Sequence, residues 1–569
     1  MNRKDFIELL AIEGAGILAA PLTALKLPDA FYIIHDKDKA SLTADMVIAG
    51  GGLGGCAAAL AALRNGLSVI MTEETDWIGG QLTQQGVPPD EHQWIETHGA
   101  TRSYRDLRAR IRQYYLRHYP LTDEARKRTY LNPGDGLVSR LCHEPKVALA
   151  VLHELIAPFA QSGKLMLLTK HNVIHAEMSG NTVHSLKAVN MRNGQFKILR
   201  APYFIDATEL GDLLPLTGTE YLTGTESHAD TDEFHAPPIA DPRNNQAFTF
   251  CFAMDHLPGE DHVIGQPREY TFWRNYKPDL TPPWPGKLLD LQYTEPATLR
   301  PKRLGFHPDG RDLGEVLNLW NYRRIINKDN FRKGTYSSDI TLVNWPQNDY
   351  MEGNIIDASP EEFKYHTERA KQLSLSLLYW LQTEVPRPDG GRGWPGLRLR
   401  KDVMGTEDGL ARYPYIRESR RIRAVFTVLE EHVGKEQRAH KTDNRNELTA
   451  AVFFDSVGVG YYHIDLHPGC RGTNYLDFDS LPFQIPMGAL LPIRIENLLP
   501  ANKNIGTTHI TNGCFRLHPV EWNIGEAAGL LIAYAKQRSV LPRQVREQKE
   551  LLQNFQQFIR EQGLETEWK

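Results

Sequence analysis

Three glycines and a later acid form the most informative chemical pattern in this 569-residue chain. Gly50, Gly52 and Gly55 fit the spacing GxGxxG, and Glu73 ends the apolar run that follows. Gly50 permits a tight turn from strand to helix, Gly52 lets a pyrophosphate approach the backbone, and Gly55 lets helix and strand pack closely. The N-terminus of the helix offers free N–H groups and partial positive charge to phosphates. A carboxylate at Glu73 can accept hydrogen bonds from a ribose, so the pattern predicts a dinucleotide site.

The elements that must position these residues are visible on both sides of the glycines. Residues 46–49 and 67–73 are apolar and predict two buried strands, and "CAAALAALRNG" between them predicts a helix of small residues. Strand, glycine turn, helix, second strand and acid therefore occur in the order of a nucleotide-binding unit. Glu74 is an alternative to Glu73 as the ribose acid, although the spacing favours Glu73. The predicted site also includes two residues inside the turn, Leu53 and Gly54.

A second glycine pair, Gly79-Gly80, follows the acid and is succeeded by Gln81. This arrangement resembles the FAD-binding flavoproteins of the glutathione-reductase superfamily, in which a Gly-Gly pair after the ribose acid follows the cofactor. The resemblance implies that Gly79, Gly80 and Gln81 belong to an FAD site. Taken alone, the two glycines are also compatible with an ordinary turn.

Residues 165–218 extend the resemblance. They contain alternating apolar strands separated by "SGN" and "RNG", both hairpin signals, and end in the apolar strand "YFIDAT". In the superfamily a strand in this segment faces the adenine, and the last strand ends near the pyrophosphate. The resemblance implies that Val173 faces the adenine. Glu209 occupies the position where a glycine usually follows the threonine. The residues that match the strand-end pattern are Asp206, Ala207, Thr208, Gly211 and Asp212.

The C-terminal segment 496–535 also matches. It predicts a strand, a polar loop and a helix that begins near Pro519, with Glu521 as a favourable early acid. Gly525 and Gly529 lie one turn apart, so this helix can approach another backbone closely. In the superfamily the N-terminus of this helix points at the flavin pyrimidine ring and stabilises negative charge on the reduced flavin. The match runs through Gly506, His509, Arg516, Pro519, Gly525 and "AAG", which implies a cofactor domain assembled from both ends of the chain. Asn523, on the same helix, also belongs to the predicted cofactor site.

These motifs identify the sequence as similar to FAD-dependent oxidoreductases of the glutathione-reductase-2, fumarate-reductase-like type, and within it to a large bacterial FAD-oxidoreductase family. The segments 413–424 and 455–467 resemble the middle region of that family. The expected fold class is α/β, with a discontinuous Rossmann-like FAD-binding domain and an inserted α+β substrate domain. The predicted boundaries are 44–218 for the first part of the FAD-binding domain, 219–484 for the substrate or cap domain, 485–540 for the second FAD-binding part, and 541–569 for a C-terminal helix.

The candidate catalytic residues lie near the C-terminus. The resemblance places His509 and Arg516 beside the flavin, where a histidine can exchange a proton and an arginine can hold a carboxylate or oxyanion. Bracing of the loop or contact with the cofactor is an equal alternative for both. In "YYHIDLH", His463, Asp465 and His467 share one face of a predicted strand, as a polar wall of the substrate cavity or as solvent-facing residues. Their outer pair lies ~13 Å apart, too far for a metal with ligand bonds of ~2 Å, so no metal is expected.

The expected reaction is hydride transfer between a polar small organic substrate and flavin N5, with oxygen or an external acceptor as the other partner. Residues 220–480 have no second GxGxxG after a strand, and "RPDGGRGWPG" reads as a loop. The five cysteines form no CxxC pair, which disfavours a disulfide reductase, a disulfide framework and a cysteine zinc site. The alternatives are an NAD(P)H-dependent flavin monooxygenase and a non-catalytic binding protein on the same fold.

Two basic segments have ordinary explanations. Residues 103–119 predict an amphipathic helix whose arginines solvate a surface. The segment "YIRESRRIRAVF" predicts a charged helix face with local ion pairs. In the alternative interpretation Arg420 or Arg421 reaches into the substrate site.

The composition and the N-terminus set further expectations. A net charge of -5 gives no indication of a nucleic acid or an anionic membrane as partner. No segment reaches the ~20 apolar residues of a membrane span. Within residues 1–30, Arg3-Lys4 and Phe6 loosely resemble a twin-arginine export leader, but Glu8 and Glu13 interrupt the apolar stretch. The segment is a degenerate leader to the bacterial periplasm, or an N-terminal helix of a cytoplasmic protein. The electron acceptor and the oligomeric state stay open.

Overall fold

The computed structural model describes residues 40–442 and 448–568. The predicted leader or helix at residues 1–30 lies outside this part of the chain. Most of the strands are short. The strands are β1 (Ser41–Thr43), β2 (Met46–Ala49), β3 (Val69–Glu73), β4 (Leu165–Thr169), β5 (His171–Ser179), β6 (Thr182–Asn190), β7 (Phe196–Arg200), β8 (Tyr203–Asp206), β9 (Tyr221–Leu222), β10 (Phe252–His256), β11 (Gln292–Thr294), β12 (Pro301–Arg303), β13 (Arg324–Ile326), β14 (Ile340–Val343), β15 (Leu397–Leu399), β16 (Arg421–Ile422), β17 (Ser456–Gly460), β18 (Ile464–Leu466), β19 (Leu476–Phe478), β20 (Phe483–Pro486) and β21 (Leu498–Pro500).

The helices include several of only one or two turns. They are α1 (Leu53–Arg64), α2 (Arg102–His118), α3 (Asp123–Lys127), α4 (Pro145–Gln161), α5 (Leu213–Thr217), α6 (His228–Thr231), α7 (Tyr270–Asn275), α8 (Leu319–Tyr322), α9 (Pro360–Thr383), α10 (Lys401–Met404), α11 (Glu430–Val433), α12 (Lys435–Lys441), α13 (His509–Phe515), α14 (His518–Arg538), α15 (Pro542–Glu547) and α16 (Lys549–Gln562). No helix in the described ranges is long and apolar enough to cross a membrane.

A five-stranded parallel sheet unites the two ends of the chain. Its strand order is β21-β8-β2-β3-β4, and every neighbouring pair is parallel. The strands β2, β3 and β21 are buried along their whole length, as expected for a parallel sheet covered on both faces. Because β21 pairs with β8 and β8 pairs with β2, a strand near residue 500 completes a sheet begun near residue 46.

The close contact between α1 and α14 depends on glycine. A Cβ atom at Gly525 would lie 2.0 Å from the carbonyl oxygen of Gly54, and one at Gly529 would lie 2.5 Å from that of Ala58. Real side chains do not approach a backbone oxygen so closely, so the spacing of the two glycines allows the helices to touch. The helix α14 therefore lies directly against α1, the helix that follows the glycine turn.

A second sheet flanks the first, and the inserted segment has its own sheet. The strands β1, β7, β6 and β5 form a four-stranded sheet whose hairpin turns fall at the predicted "SGN" and "RNG" segments. In the middle of the chain, β13, β14, β10 and β15 form an antiparallel sheet, accompanied by the long helix α9. The expected fold class, an α/β Rossmann-like domain with an inserted α+β domain, is confirmed. The exact domain boundaries stay predictions.

The prediction that the arginines of residues 103–119 solvate a surface is wrong for two of them. The helix forms as α2, but Arg108 and Arg112 are buried and only 2% and 6% exposed. Both guanidinium groups pair with the carboxylate of Glu96, and Arg108 also pairs with Glu91. Since buried charges must be paired, these arginines serve the internal structure.

Two further local predictions are wrong. Residues 415–426, the segment "YIRESRRIRAVF", form no helix; the segment is extended and includes the short strand β16, and Arg421 is buried rather than on a solvated face. The local ion pair between Glu418 and Arg421 is present, but within the core. The C-terminal segment 541–569 is not one helix but two, α15 and α16, which meet at Gln548.

Candidate cofactor site and active site

The glycine turn after β2 has a backbone that only glycine readily adopts. Gly50 has φ of +91°, and a Cβ there would lie 2.3 Å from the carbonyl oxygen of Ala207 at the end of β8. The next N–H group, that of Gly51, donates to the Glu73 carboxylate at 2.9 Å. Burial raises the pKa of Glu73 to about 7, against the opposing hydrogen bonds from Thr75 and Gly51. The predicted ribose acid is thus fixed against the turn.

One cavity brings together residues predicted from four separate segments. It lies where β2, β3 and β8 end and β5 begins. Glu74, the alternative ribose acid, lies on its wall next to Glu73. The position matches the crevice at the carboxyl ends of parallel strands where nucleotides bind. The predicted cofactor residues on its wall are Gly50, Gly52, Glu73, Glu74, Val173, Ala207, Thr208 and Asp212.

Several predicted residues belong to the glycine turn or stabilise it without lining the cavity. Leu53 begins α1, and the N–H group of Gly54 donates to the Asn502 side chain at 3.2 Å. Asn502 in turn donates to the carbonyl of Ala207 at 2.8 Å. The loop after β21 therefore clamps the glycine turn to the end of β8. The structure places Gly525 in the helix contact rather than on the cavity wall.

A buried group of charges lies beside the turn. The Lys503 ammonium is 2.6 Å from the Glu209 carboxylate and 3.8 Å from that of Glu521. Burial raises the pKa of Glu521 to about 7, and the Lys503 charge opposes this rise. Glu209 is the residue that replaces the glycine usual in the family. The structure accounts for it through its ion pair with Lys503.

Gln81 connects this group to the start of α14. Gly79 and Gly80 both have positive φ, and Gln81 lies in the short 3₁₀ turn Gly80–Leu82. The Gln81 amide donates to the carbonyl of Arg516 at 3.0 Å and to the carboxylate of Glu521. Gln81, which follows the second glycine pair, is thus hydrogen-bonded to the N-terminal turn of α14, the helix predicted to face the flavin.

The residues present fit FAD. Four buried oxygens near the turn and the start of α14 accept no hydrogen bond from any described residue: Gln81 Oε1, Glu209 Oε1, Glu521 Oε1 and Asn523 Oδ1. Unpaired buried acceptors are costly and call for a donor. A ligand with hydroxyl and ring N–H groups, such as a ribityl chain carrying an isoalloxazine ring, supplies such donors. The glycine turn and the positive end of α14 suit its phosphates and ring.

Arg516 ties the cofactor side to a second polar cluster. Its guanidinium contacts the Asp465 carboxylate at 3.0 Å and the Tyr415 hydroxyl at 3.3 Å. Asp465 is also 3.8 Å from the ring of His467. Burial raises the pKa of Asp465, but the charges of His467 and Arg516 outweigh burial and lower it overall. His467 continues the cluster to Asp349 at 2.6 Å. The guanidinium of Arg417 lies 3.0 Å from the second oxygen of Asp349. We call Arg516, Asp465, His467, Asp349 and Arg417 the arginine–aspartate cluster.

The other two candidate histidines have different partners. His509 begins α13 and bonds to the Glu418 carboxylate at 2.9 Å, whereas Arg516 follows the other end of that helix, ~10 Å away along the axis. His463 bonds to Asp477 at 2.6 Å, and its side chain is 38% exposed. Burial lowers the pKa of His463, but Asp477 and Asp465 outweigh this and raise it overall. The structure therefore does not join His509 and Arg516 by a direct contact.

The alternation predicted for "YYHIDLH" is present around β18, where Ile464 and Leu466 are buried and Asp465 between them is less so. Sequence reasoning missed three charged residues: Asp349, Arg417 and Lys503. Asp349 lies more than a hundred positions from its partner His467, and no local spacing marks it. Arg417 and Lys503 lie in segments that resemble the family, but no motif marks either residue. The only available signal was that a basic residue in a buried segment needs an acidic partner.

Fold and site together define a Rossmann-type flavoprotein whose cofactor domain is built from both ends of the chain. A sequence model of the FAD dependent oxidoreductase family matches residues 45–559, and the chain belongs to that family. The protein is therefore an enzyme, an FAD-dependent oxidoreductase. Its cofactor is FAD.

Several solved structures are similar to this chain at low identity. A point mutant of the E. coli quinol fumarate reductase FrdA is 12% identical, with 92% of this chain and 74% of that chain covered and a TM-score of 0.33. The FAD-complexed glycerol-3-phosphate dehydrogenase from Bacillus halodurans is 12% identical, with 37% of this chain and 40% of that chain covered and a TM-score of 0.23. The apo Sdh1 complex of Mycobacterium smegmatis is 10% identical, with 30% of this chain and 34% of that chain covered and a TM-score of 0.21. This protein therefore spans about a third of the length of that chain. No curated protein matches the sequence.

Proposed function

We propose that this oxidoreductase transfers a hydride between a polar, oxygen-bearing small organic substrate and flavin N5. Oxygen or an external acceptor would be the second redox partner. The observation that carries the proposal is the contact between Gln81 and Arg516. It joins the segment predicted to follow the cofactor to the arginine–aspartate cluster, so a substrate held by that cluster would lie next to the flavin.

The cofactor-binding roles follow from the position of each group. Glu73 would accept the ribose hydroxyls, the N–H groups of the glycine turn would hold the pyrophosphate, and Val173 would face the adenine. Gln81 and the first turn of α14 would contact the ring end. FAD, when bound, supplies the hydride acceptor or donor.

Unpaired donors around the arginine–aspartate cluster support the polar character of the substrate. The Nε groups of Arg417 and Arg516 are buried and have no hydrogen-bond partner among the described residues, and the same holds for the side-chain amide nitrogens of Gln246 and Asn344. The amide oxygens of these two residues are paired. Asn344 binds Arg417 at 3.2 Å, and Gln246 accepts from the backbone of His467 at 3.1 Å. Donors without acceptors favour a ligand rich in oxygen, such as an acid, an alcohol or a sugar.

We expect one class of small substrate to bleach the bound flavin without any nicotinamide. The experiment mixes FAD-loaded protein anaerobically with alcohols, sugars, amines and acids and follows the visible flavin absorbance by stopped flow. NADH and NADPH alone serve as the comparison, since the described fold shows one nucleotide-binding glycine turn for FAD. Rapid bleaching by NADPH alone, with no bleaching by any compound of the panel, would contradict the proposal and favour a monooxygenase.

A further inference from the structure

The structure pairs two side chains that lie far apart in sequence. The Nδ1 atom of His467, just after β18, is 2.6 Å from Oδ2 of Asp349, which follows β14 in the inserted segment. The side chain of Asp349 is fully buried, whereas that of His467 is 20% exposed. The carboxylate therefore lies behind the ring, and the ring can meet a ligand.

The surroundings of Asp349 hold it as a carboxylate. Its Oδ1 atom accepts from the Thr249 hydroxyl at 2.6 Å and pairs with the Arg417 guanidinium at 3.0 Å. Burial raises the pKa of Asp349, but the charge of Arg417 and the hydrogen bonds from His467 and Thr249 outweigh burial and lower it overall. An ionised carboxylate only accepts hydrogen bonds, so the proton of the shared bond belongs to Nδ1 of His467. The neutral ring then has its lone pair on Nε2.

The Nε2 atom faces the side of the cluster that adjoins the cofactor segment. It lies 3.8 Å from Oδ2 of Asp465, the same oxygen that binds Arg516 at 3.0 Å. The ring of Tyr475 lies edge-on to the imidazole, with centroids 5.4 Å apart. The charged groups around His467 are thus Asp349 on one nitrogen, and Asp465 with Arg516 near the other.

His467 differs in this respect from the other histidines considered. The partner of His509 is Glu418, which is in turn bound by Arg421, and none of these bonds reaches Arg516. His463 is bound by Asp477 and is more exposed. Only His467 of the three has a contact to the carboxylate that holds Arg516 and a second carboxylate buried behind it.

We propose that His467 carries the proton that accompanies hydride transfer, with Asp349 as the residue that positions its ring. This role rests on the proposed function. In the oxidative direction the substrate C–H bond breaks and its two electrons leave as hydride to the cofactor. The substrate O–H or N–H bond breaks as well, its electron pair completes the new C=O or C=N bond, and its proton forms a bond to Nε2 of His467. The imidazolium then returns the proton to solvent.

The first test needs no substrate. Protein labelled with ¹⁵N-histidine is observed by NMR at alkaline pH, and the His467 signals are identified by their loss in His467→Gln. We expect the protonated nitrogen of His467 to be Nδ1. A spectrum in which Nε2 carries the proton would overturn the proposal, because Nε2 could not then accept one.

The second test uses the compound that bleaches the flavin fastest. Replacement of His467 by Gln should lower the rate constant of flavin reduction about 100-fold, the size typical of a lost general base, with the flavin spectrum unchanged. Asp349→Asn should slow reduction in the same direction. It should also lower the fraction of His467 rings that carry their proton on Nδ1 in the ¹⁵N spectrum, because the carboxylate that fixes this tautomer is gone. The matched control is Asp309→Asn. The Nδ1 atom of His307 lies 2.6 Å from Asp309, the same separation as in the His467–Asp349 pair, and the Asp309 carboxylate is 44% exposed and bonded to Arg311 rather than to the cluster.

The outcomes are separable. Reduction by His467→Gln at the rate of the unchanged protein overturns the role of His467 and leaves the proposed function in place. An equal slowing by Asp309→Asn also overturns it, because the effect would then be general. Failure of every compound to bleach the unchanged protein contradicts the proposed function itself.

Discussion

Replacement of Gly525 by alanine is expected to lower the free energy of unfolding by about 3 kcal/mol and to weaken FAD binding at least tenfold. Alanine is the better helix former by about 1 kcal/mol, so propensity alone predicts a gain in stability. The added methyl group would lie 2.0 Å from the carbonyl oxygen of Gly54, which belongs to the backbone and cannot rotate away. We expect the clash to dominate and to displace the turn that holds the phosphates. Urea unfolding and FAD titration measure the two effects.

The control for this substitution is Gly286→Ala. A Cβ at Gly286 meets no described atom within 4 Å, so the same chemical change there should leave both stability and FAD affinity nearly unaltered. If Gly525→Ala behaved like Gly286→Ala, the two helices would not be in contact in solution. The assembly of the site from both ends would then lose its main support.

The second large effect is expected at Arg516. Arg516→Met should slow substrate-dependent flavin reduction about 100-fold, as for other buried donors that stabilise developing charge. It should also destabilise the fold, because Asp465 would be left as a largely buried charge without its partner. The reduction rate is measured by anaerobic stopped flow and the stability by thermal unfolding.

The double variant Arg516→Met with Asp465→Asn separates the two effects. Removal of the second charge should restore much of the lost stability, since no largely buried charge is then left without its partner. The reduction rate should stay low, because the donor to the substrate is still absent. Recovery of the rate together with the stability would show that Arg516 only braces the structure.

The parallel sheet and the cofactor segments could be predicted from the sequence because their signals are local. The glycines at 50, 52 and 55 and the acid at Glu73 stand in one short stretch, and each imposes a backbone or a hydrogen bond that few other residues allow. The close approach of α14 to another backbone was also predictable, since Gly525 and Gly529 lie one turn apart; that the other backbone is α1 is shown by the structure.

The arginine–aspartate cluster could not be predicted, because tertiary packing creates it. Asp349 meets His467 only after the inserted segment has folded, and no spacing in the sequence relates them. The prediction of a charged helix at residues 415–426 is wrong for a similar reason. Its charges suggest a solvated helix, but Arg417 pairs with the buried Asp349 and Arg421 pairs with Glu226. Both carboxylates belong to other segments, which makes an extended, buried conformation possible.

Glu209 shows how a departure from a family pattern is resolved only by structure. In the sequence it puts an acid where a glycine is usual, close to a predicted phosphate site. In the structure Lys503, from a loop almost three hundred residues later, neutralises it. The pair again links the first and last parts of the chain.

Hydrogen–deuterium exchange with and without FAD tests most directly whether both ends form one cofactor site. FAD should slow exchange in residues 50–55 and in the first turn of α14 together, with protection of both segments saturating at the same FAD concentration. Protection of the glycine turn without any change at residues 518–522 would contradict a shared site.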